Sequence, residues 1–331
     1  MPVYNDWESA SLVWDRLDQA SGNMADTCLR VVCVDDGSTT DRPQAMAASQ
    51  FSHIAGISIL RLRRNVGHQR AFAIGLTYIY QHMACDAVIC MDADGEDRPE
   101  DLSQLLECFE SHNRTLAVFA ARRKRLEGRV FRTGYQLFRL AHRLLVGFGI
   151  KIGNFSVLSF HQLSALVVSP DLWSHYAATV LKLRIPMATL PINRGPRLAG
   201  HSRMNYISLV THGLSAFSVF AEVVATRVLI GGSAVLFLIT LVTVGLIGLH
   251  SYDGSIGVNW ITMTLALLFL VTMNAVIIAL ASAFGALARR DQLGFLPIRD
   301  ASYFVSDFST LYENTQRTYG CGQFYSKNAA N

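Results

Sequence analysis

Two long stretches without charged side chains lie in the last third of the chain. Across residues 228–288 there is no Lys, Arg or Glu, and Asp253 is the single Asp. Residues 228–249 and 258–288 are each long enough to cross the hydrocarbon core of a bilayer as a helix. A buried hairpin of a soluble protein rarely reaches these lengths, so we predict two transmembrane helices. The apolar residues of 204–227, interrupted by a few polar ones, predict an interfacial amphipathic helix before them.

Positively charged residues flank the two predicted spans. Arg227 precedes the first span and Arg289 and Arg290 follow the second, whereas the connecting turn at 250–257 has no Lys or Arg. Cytoplasmic flanks carry the excess of Lys and Arg in membrane proteins. We therefore expect both ends of the chain to be cytosolic. This includes the polar and aromatic tail at 289–331, for which the sequence predicts no function.

The six cysteines and the N-terminus bear on the compartment of the remaining chain. No two cysteines form a Cys-x-x-Cys pair, so a zinc site is not predicted. No cleavable signal peptide is visible at the N-terminus. We expect the part before the spans to be cytosolic and reduced.

Residues 1–203 alternate short apolar runs with helical patterns, and charged residues occur throughout. The predicted strands are Leu29–Val34, Ile57–Leu62, Val88–Met91 and Leu116–Ala120, and the helices between them are Ala71–His82 and Glu100–Glu110. Alternating strands and helices predict an α/β fold with a mostly parallel, Rossmann-like sheet covered by helices on both faces. The apolar strand that normally opens such a sheet is missing. We expect that the chain starts late in the fold or that Met1 is not the natural start.

Two carboxylates directly follow one of these strands. Val88–Met91 is apolar, and Asp92 and Asp94 come after it, at the end of the strand where an open α/β sheet binds its ligands. Two carboxylates two residues apart can bind one hard cation, Mg²⁺ or Mn²⁺, and leave room for substrate phosphates. A solvated acidic turn is the alternative interpretation of an Asp-x-Asp sequence taken alone.

Two other strand ends carry polar side chains. Asp35 and Asp36 follow the strand at 29–34, and they could accept hydrogen bonds from a base or ribose or belong to a turn before a helix. The segment 63–70 is a basic loop with several arginines before a helix, which suits a diphosphate. A charged loop edge is the alternative for that segment.

A cluster of basic residues follows the strand at 116–120. It comprises Arg122, Arg123, Lys124 and Arg125, followed by Arg129 and Arg132. Arginine forks bind phosphate oxygens in pairs, and the amphipathic helix predicted at 135–146 suits a membrane surface. The cluster therefore indicates a lipid phosphate, with a solvated face as the alternative. The net charge of +4 is too small to indicate nucleic acid.

Two glycine-containing segments complete the candidate site. Gly153 and Asn154 lie in a turn of small residues that could line a sugar pocket or simply precede the strand at 157–160. The loop 194–204 contains three arginines, and it could fold over bound phosphates as a lid or be a basic linker near a membrane.

Taken in order, these motifs resemble the polyisoprenyl-phosphate branch of the family 2 glycosyltransferases, which includes bactoprenol glucosyltransferases and dolichyl-phosphate mannose synthases. The resemblance runs from Pro2 to about Ala288. It rests on Pro2-Val-Tyr4-Asn5, Asp35-Asp36-Gly37-Ser38, Arg64-Asn65-Val-Gly67, Asp92-Ala-Asp94, the Arg122–Arg132 cluster, Gly153-Asn154-Phe155, Gly200-His-Ser202-Arg203 and the two spans. It implies that residues 1–203 form a domain of the GT-A fold. Each motif alone is weak, whereas their order and spacing are quite specific.

The resemblance implies a role for each matching residue. The residues that would bind the nucleotide are Pro2, Tyr4, Asn5, Asp6, Asp35, Asp36, Arg64 and Gly67. The residues that would bind the metal are Asp92, Asp94 and Glu96, and those that would line the sugar pocket are Gly153 and Asn154. The acceptor phosphate would be bound by Arg122, Arg125, Arg129, Arg132, Ser202 and Arg203. The residues taking a direct part in catalysis would be Asp92, Asp94, Arg122 and Arg125. The chain departs from the family pattern at Glu96, which is usually Gln, and at Gly95, which is usually Leu.

These roles imply one reaction, an inverting transfer of a single sugar from a nucleotide sugar to a polyprenyl phosphate at the cytosolic membrane face. A UDP-sugar such as UDP-glucose is the favoured donor, undecaprenyl or dolichyl phosphate the acceptor, and the product a lipid-linked sugar for glycan or cell-envelope modification. The spans could also form a homo-oligomer. One alternative is a processive polysaccharide synthase, which the absence of a Gln-x-x-Arg-Trp motif disfavours. The other is a membrane-anchored relative without activity, which the intact Asp-x-Asp disfavours.

Overall fold

A computed structural model of the protein describes residues 1–22, 24, 27–42, 50–122, 140, 142–150, 152–200, 206–253, 260–290, 294–315 and 317. The chain divides into two units. The first contains Met1–Gly128, Ile150–Val219 and Phe295–Asn331, and the second contains Arg129–Gly149 and Phe220–Gly294. The first unit carries the strands and the second the long apolar helices.

Strands of the first unit form two sheets. The strands are β1 (Pro2–Val3), β2 (Leu29–Asp35), β3 (Ile54–Leu62), β4 (Ala87–Cys90), β5 (Ala117–Arg122), β6 (Ile152–Ser159), β7 (Met187–Ile192) and β8 (Val305–Glu313). One sheet has the order β1, β2, β3, β8 and the other β4, β6, β5, β7. Neighbours pair in parallel from β1 to β3 and between β5 and β7, whereas β8 is antiparallel to β3, and β6 is antiparallel to both β4 and β5.

This arrangement confirms the α/β class and corrects two local predictions. The opening strand is present as β1, in which Pro2 lies opposite Val34. Two residues form no recognisable apolar run, so the sequence pattern did not identify the strand. The turn predicted at 152–156 is wrong, because these residues begin β6. Gly and Asn are depleted in strands, which is why Gly153 and Asn154 predicted a turn.

Helices cover the sheets through apolar faces. They are α1 (Trp7–Ser21), α2 (His68–His82), α3 (Leu102–Ser111), α4 (Phe160–Val167) and α5 (Tyr176–Lys182). In α1, Ala10, Val13, Trp14 and Leu17 recur at helical spacing and are all buried. A capping box begins α4, in which Ser159 and Gln162 each bond the other's backbone N–H. One buried core cluster contains residues of both sheets, including Val31 and Val118.

The helices near the predicted membrane segment are α6 (Tyr206–Ser218), α7 (Ala221–Asp253) and α8 (Trp260–Arg290). Within the last two, Ala221–Gly245 and Met263–Ser282 are long and apolar enough to cross a membrane, and 0% and 6% of their residues are buried. A helix in the core of a soluble protein would be mostly buried, so the finding supports the predicted spans. Within the segment 204–227, which the sequence predicted to be an interfacial helix, α6 ends at Ser218 and α7 begins at Ala221.

The two long helices of the second unit pack along one another. A Cβ on Gly232 of α7 would lie 2.8 Å from Cγ2 of Val276 on α8, so glycine permits this close approach. Arg227, predicted to flank the span, lies inside α7 and donates from Nη1 to the Leu144 carbonyl at 3.2 Å. The first candidate span therefore begins before the predicted boundary at residue 228.

The region predicted to be a tail is part of the first unit. It contains the short helix α9 (Pro297–Asp300), a 3₁₀ turn at Ala301–Phe304 and β8. β8 pairs with β3, from Leu62 opposite Val305 to Gly56 opposite Glu313. The sequence did not predict this strand, because its exposed residues alternate weakly and its partner lies more than 240 positions away in the chain.

The described cysteines differ in their state. Cys33, Cys85, Cys90 and Cys108 are free thiols, as predicted. Burial raises the pKa of Cys33 and of Cys90 to about 11, so both stay protonated as small core residues. Cys28 is disulfide-bonded, which differs from the fully reduced state predicted for this part of the chain.

Candidate active site

The described residues of the predicted site lie mainly on loops that follow strands of the two sheets. In the first sheet, β1, β2 and β3 run in the same direction, so the loops after them leave from one edge. In the second sheet, β4, β5 and β7 share a direction because β6 is antiparallel to its two neighbours. The first residues of β6 therefore lie beside the last residues of β4 and β5.

The Asp92–Asp97 turn follows β4 and is fixed by its own carboxylates. The Asp92 N–H donates to Asp97 Oδ2 at 2.9 Å, and the Glu96 N–H donates to Asp94 Oδ1 at 3.0 Å. Gly95 has a φ of +83°, a conformation that L residues rarely adopt. These bonds close the turn and leave the Asp92 and Asp94 side chains 21% and 19% exposed.

Asp92 contacts two polar side chains from other elements. Asn154, near the start of β6, donates from Nδ2 to Asp92 Oδ1 at 3.2 Å. His68, the first residue of α2, has its Nε2 3.2 Å from the same oxygen and 3.0 Å from Asn154 Nδ2. The structure thus brings the predicted sugar-pocket residue Asn154 against the predicted metal ligand Asp92.

Asp94 contacts an arginine from the loop after β7. Arg197 donates from Nη1 to Asp94 Oδ2 at 3.3 Å, and its Nη2 pairs with Asp6 Oδ2. Its Nε donates to the Ala199 carbonyl at 2.9 Å. Arg197 therefore joins Asp6, a predicted nucleotide residue, to Asp94, a predicted metal ligand.

The loop that carries Arg197 packs directly on the acidic turn. The Leu198 N–H donates to the Asp94 carbonyl at 3.0 Å and the Gly195 N–H to the Glu96 carbonyl at 2.9 Å. A Cβ on Gly95 would lie 2.3 Å from Leu198 Cγ. The departure from the family's usual Leu at this position thus has a structural cause, since a side chain there would displace the loop.

Glu96, the third predicted metal ligand, has a different partner. It forms an ion pair with Arg194, which lies in the same loop as Arg197. Among the residues that the structure describes, no group of three His, Cys, Asp or Glu side chains is arranged to hold a metal ion. Asp92 and Asp94 remain as two hard oxygen donors, and Mg²⁺ is commonly held by one or two carboxylates together with substrate phosphates. The donor set of these two residues therefore fits a hard divalent ion.

The electrostatics of Asp94 agree with this fit. Burial raises the pKa of Asp94, the negative charge of Asp92 raises it further, and Arg197 and Arg194 oppose the rise. Placing two carboxylates close together in a partly buried site costs free energy unless positive charge compensates them. The two arginines supply part of that charge, and a divalent cation would supply more.

Asp35 and Asp36 bond to backbone groups of the protein. Asp36 accepts hydrogen bonds from the N–H groups of Val66 at 2.7 Å and Gly67 at 3.0 Å. Burial raises its pKa, and these two bonds counteract the rise. Asp35 Oδ1 accepts from the Ser38 N–H at 2.8 Å. Both carboxylates thus bond the backbone of the loops at this edge, and their direct contact with a base or ribose stays a prediction.

Other predicted nucleotide residues lie on the same loops. Asn5, with a φ of +51°, bonds the loop after β2 through Thr39 and Thr40. Pro2 is buried in β1, whereas Tyr4 is 38% exposed. A Cβ on Gly67, which has a φ of +92°, would meet no atom within 4 Å. The edge thus has open space directly before α2.

The predicted acceptor residues are only partly described. Arg122 is the last residue of β5 and pairs in register with Ile192, the last residue of β7. The basic cluster therefore starts beside the loop after β7, which contains Arg194 and Arg197. Arg125, Arg129 and Arg132, together with Ser202 and Arg203, lie outside the described residues. Gly153 lines a small open pocket with Arg98 and Arg194.

Four residues of this site were absent from the sequence-based assignment. They are His68, Asp97, Arg194 and Arg197. Signals for them were present, because His68 lies in the basic loop at 63–70, Asp97 ends the acidic run, and both arginines belong to the predicted lid loop. Their partners could not be read from these local patterns.

Comparisons with known proteins match parts of this chain to glycosyltransferases. The glycosyl transferase family 2 model matches residues 1–164. An undecaprenyl-phosphate 4-deoxy-4-formamido-L-arabinose transferase of Sodalis glossinidius is 31% identical over 107 residues, which cover 32% of this chain and 31% of that protein. The uncharacterized glycosyltransferase YkoT of Bacillus subtilis is 27% identical over 196 residues, covering 57% and 56%. A transferase of the first kind from Yersinia pestis is 27% identical over 124 residues, covering 38% and 36%. The chain thus spans between about a third and a little over half of the length of these relatives.

Proposed function

Because residues 1–164 make this chain a family 2 glycosyltransferase, we propose that it transfers one sugar from a nucleotide sugar to a polyprenyl phosphate. The observation that carries the proposal is the contact of Arg197 with both Asp6 and Asp94. It joins the nucleotide side of the site to the Asp-x-Asp turn within one unit. Relatives named as undecaprenyl-phosphate transferases support a polyprenyl phosphate as the acceptor.

The donor would lie across the edge described above. Its nucleotide would contact the loops that contain Tyr4, Asp6 and Arg64, and its sugar would face Asn154 and Gly153. Its diphosphate would lie at the Asp92–Asp94 turn and the open space at Gly67. A UDP-sugar such as UDP-glucose is the first donor to test.

Two carboxylates would hold the ion on the diphosphate. Asp92 and Asp94 are the ligands we propose for Mg²⁺ or Mn²⁺, and Glu96, the third predicted ligand, pairs with Arg194. When bound, the ion supplies positive charge for the leaving nucleoside diphosphate. Arg197 already places positive charge on Asp94 Oδ2, so it would orient that carboxylate and move toward the diphosphate as the donor enters.

The acceptor phosphate is the nucleophile in this proposal. Its second pKa is about 6, so it is mostly a dianion at neutral pH and needs no general base. One of its oxygens forms a bond to the anomeric carbon while the bond from that carbon to the nucleoside diphosphate breaks, which inverts the sugar. Arg122 and Arg125, helped by Arg129, Arg132, Ser202 and Arg203, would hold the phosphate in line, which is catalysis by positioning.

The candidate spans and their flanking charges indicate on which side of the membrane the reaction would occur. Arg227 lies near the start of the first candidate span and Arg289 and Arg290 follow the second, whereas the segment 250–257 between the spans has no Lys or Arg, so the first unit would be on the cytosolic side. Polyprenyl phosphate is confined to the bilayer, so membrane-spanning helices would keep the enzyme in the same membrane as its acceptor. Contacts between copies through α7 and α8 would form a homo-oligomer.

The test is a transfer assay on membranes that contain the full chain. Membranes are incubated with undecaprenyl or dolichyl phosphate, Mg²⁺ and a panel of radiolabelled UDP- and GDP-sugars, and the label extracted with lipid is counted. We expect one sugar to label the lipid fraction and the product to carry one sugar per lipid. A folded protein that labels no lipid with any donor would contradict the proposal, and longer sugar chains would indicate a processive synthase.

A further inference from the structure

We propose that the segment 295–313, which follows the second candidate span, positions the nucleotide loop of the active site through Phe304. The nucleotide loop is defined here as Arg63–Gly67, between β3 and α2. This inference rests on the proposed function, since it assigns a role toward the nucleotide of the donor. It gives a function to a region whose sequence predicted none.

An aromatic cluster connects this segment to the rest of the unit. The rings of Phe295 and Phe304 lie 3.7 and 5.2 Å from that of Trp173, which belongs to a 3₁₀ turn after α4. Their own centroids are 5.8 Å apart in an edge-to-face arrangement. Offset and edge-to-face pairs stabilise beyond the area that they bury. The cluster therefore has a defined geometry at the edge where the nucleotide loop leaves β3.

Two arginines of the basic region lie over rings of this cluster. The guanidinium carbon of Arg64 is 5.6 Å from the centroid of Phe304, and that of Arg70 is 5.3 Å from the centroid of Trp173. Both distances allow a cation–π attraction. The Arg63 N–H also donates to the Phe304 carbonyl at 2.9 Å. Phe304 thus contacts the nucleotide loop through its ring and through its backbone.

The nucleotide loop is held at both ends by different parts of the chain. Its last residues, Val66 and Gly67, donate their N–H groups to Asp36. Its first residues depend on Phe304, which immediately precedes β8 at the point where Val305 pairs with Leu62. An exposed arginine that must meet a diphosphate loses less rotamer entropy on binding when a ring already restricts it. We therefore expect Phe304 to affect nucleotide binding more than turnover.

The segment itself is firmly attached. Gln81 Nε2 donates to the Ile298 carbonyl at 2.6 Å, and Tyr312 Oη donates to the Phe51 carbonyl at 2.5 Å. Arg30 and Glu313 form an ion pair at 2.5 Å near the end of β8. Because these contacts are spread along the segment, a change at Phe304 alone can alter the loop without releasing the strand.

The experiment compares two Phe to Leu substitutions in the same short stretch of chain. Phe304→Leu removes the ring under Arg64, whereas Phe308→Leu removes a ring that stacks on Tyr78 at 4.8 Å and belongs to a residue opposite Leu60 in β3. Both are made in the full chain in nanodiscs. The measurements are the KM and kcat for the sugar nucleotide selected by the transfer assay, and the Kd for UDP and for GDP with Mg²⁺. Phe304→Met, whose flexible side chain can adapt to the space left by the ring, is measured alongside in case the Leu variant misfolds, and Phe304→Tyr keeps a ring.

A cation–π attraction at an exposed site corresponds to about a two- to fivefold change in affinity. We expect Phe304→Leu and Phe304→Met to raise the nucleotide Kd and the KM by that factor with kcat retained. Phe308→Leu and Phe304→Tyr should leave them unchanged. In an Arg64→Gln background, Phe304→Leu should add no further loss.

Three results would overturn the inference. They are an unchanged Kd in both ring-removing variants, an equal effect of Phe308→Leu, and an equal effect of Phe304→Leu with and without Arg64. A wild-type protein that transfers sugar while these results are obtained leaves the proposed function intact. A wild-type protein that binds neither nucleotide refutes both proposals.

Discussion

Replacing Arg197 by Gln removes the cation that joins Asp6 to Asp94. The side chains of Arg197, Asp6 and Asp94 are only 20%, 23% and 19% exposed, so the two carboxylates are left in a partly buried site without their shared positive charge. Breaking a fully buried ion pair costs about 3–5 kcal/mol, whereas exposed pairs contribute about 0–1 kcal/mol. For this intermediate exposure we expect Arg197→Gln to lower the free energy of unfolding by about 1–3 kcal/mol.

Thermal unfolding of the full chain in detergent measures this loss. For a domain of this size, a decrease of about 1 kcal/mol in the free energy of unfolding lowers Tm by roughly 2–4 °C. We therefore expect the Tm of Arg197→Gln to be roughly 2–12 °C below that of the wild type without divalent ions. Mg²⁺ should raise the Tm of Arg197→Gln more than that of the wild type, because the ion restores positive charge at Asp94.

Arg114→Gln is the matched control. Arg114 pairs with Glu110 at 2.9 Å, but both side chains are about half exposed, at 48% and 53%. Its loss should change Tm by little, and Mg²⁺ should not alter the difference. The reasoning is refuted if the two variants lower Tm equally, or if Mg²⁺ has the same effect on Arg197→Gln as on the wild type.

The remaining predictions concern the Asp-x-Asp turn and the nucleotide loop. Asp94→Asn should lower sugar transfer at least about a hundredfold by weakening the hold on the ion, with an unchanged circular dichroism spectrum; near-normal transfer would argue against the metal assignment. Gly95→Leu, although it restores the family's usual residue, should destabilise the protein by about 1–3 kcal/mol, because of its φ of +83° and the contact with Leu198; a stability equal to wild type in urea unfolding would contradict this. Asp36→Asn should raise the donor KM several-fold, since an amide has one acceptor oxygen for the two N–H groups of Val66 and Gly67; an unchanged KM would show that the loop does not depend on them.

Local patterns predicted much of the first unit and the two apolar helices. The strand β2 and the start of the Asp92–Asp97 turn after β4 could be predicted, because in both places an apolar run ends abruptly in carboxylates. The candidate spans were visible because hydropathy and length are properties of the chain alone. Predictions of this kind need no information on which distant segments meet.

Antiparallel strands account for most of what the sequence did not predict. A site at the carboxyl ends of parallel strands also receives the first residues of any antiparallel neighbour. In this way β6 brings Asn154 to Asp92, and β8 brings Phe304 to the nucleotide loop. Neither strand has a pattern that states its direction or its partner, because pairing depends on register with residues far away in the chain.

The sequence by itself determined the chemistry available to this protein: paired carboxylates after a buried strand, arginines near three loops, and two helices suited to a bilayer. Tertiary structure decided which of these groups meet. Arg197 and Asp94 are separated by 103 positions and Asp92 and Asn154 by 62. Such contacts depend on strand order, direction and packing, whereas local propensity acts only over a few neighbouring residues, so the partners of the acidic turn were decided by the fold.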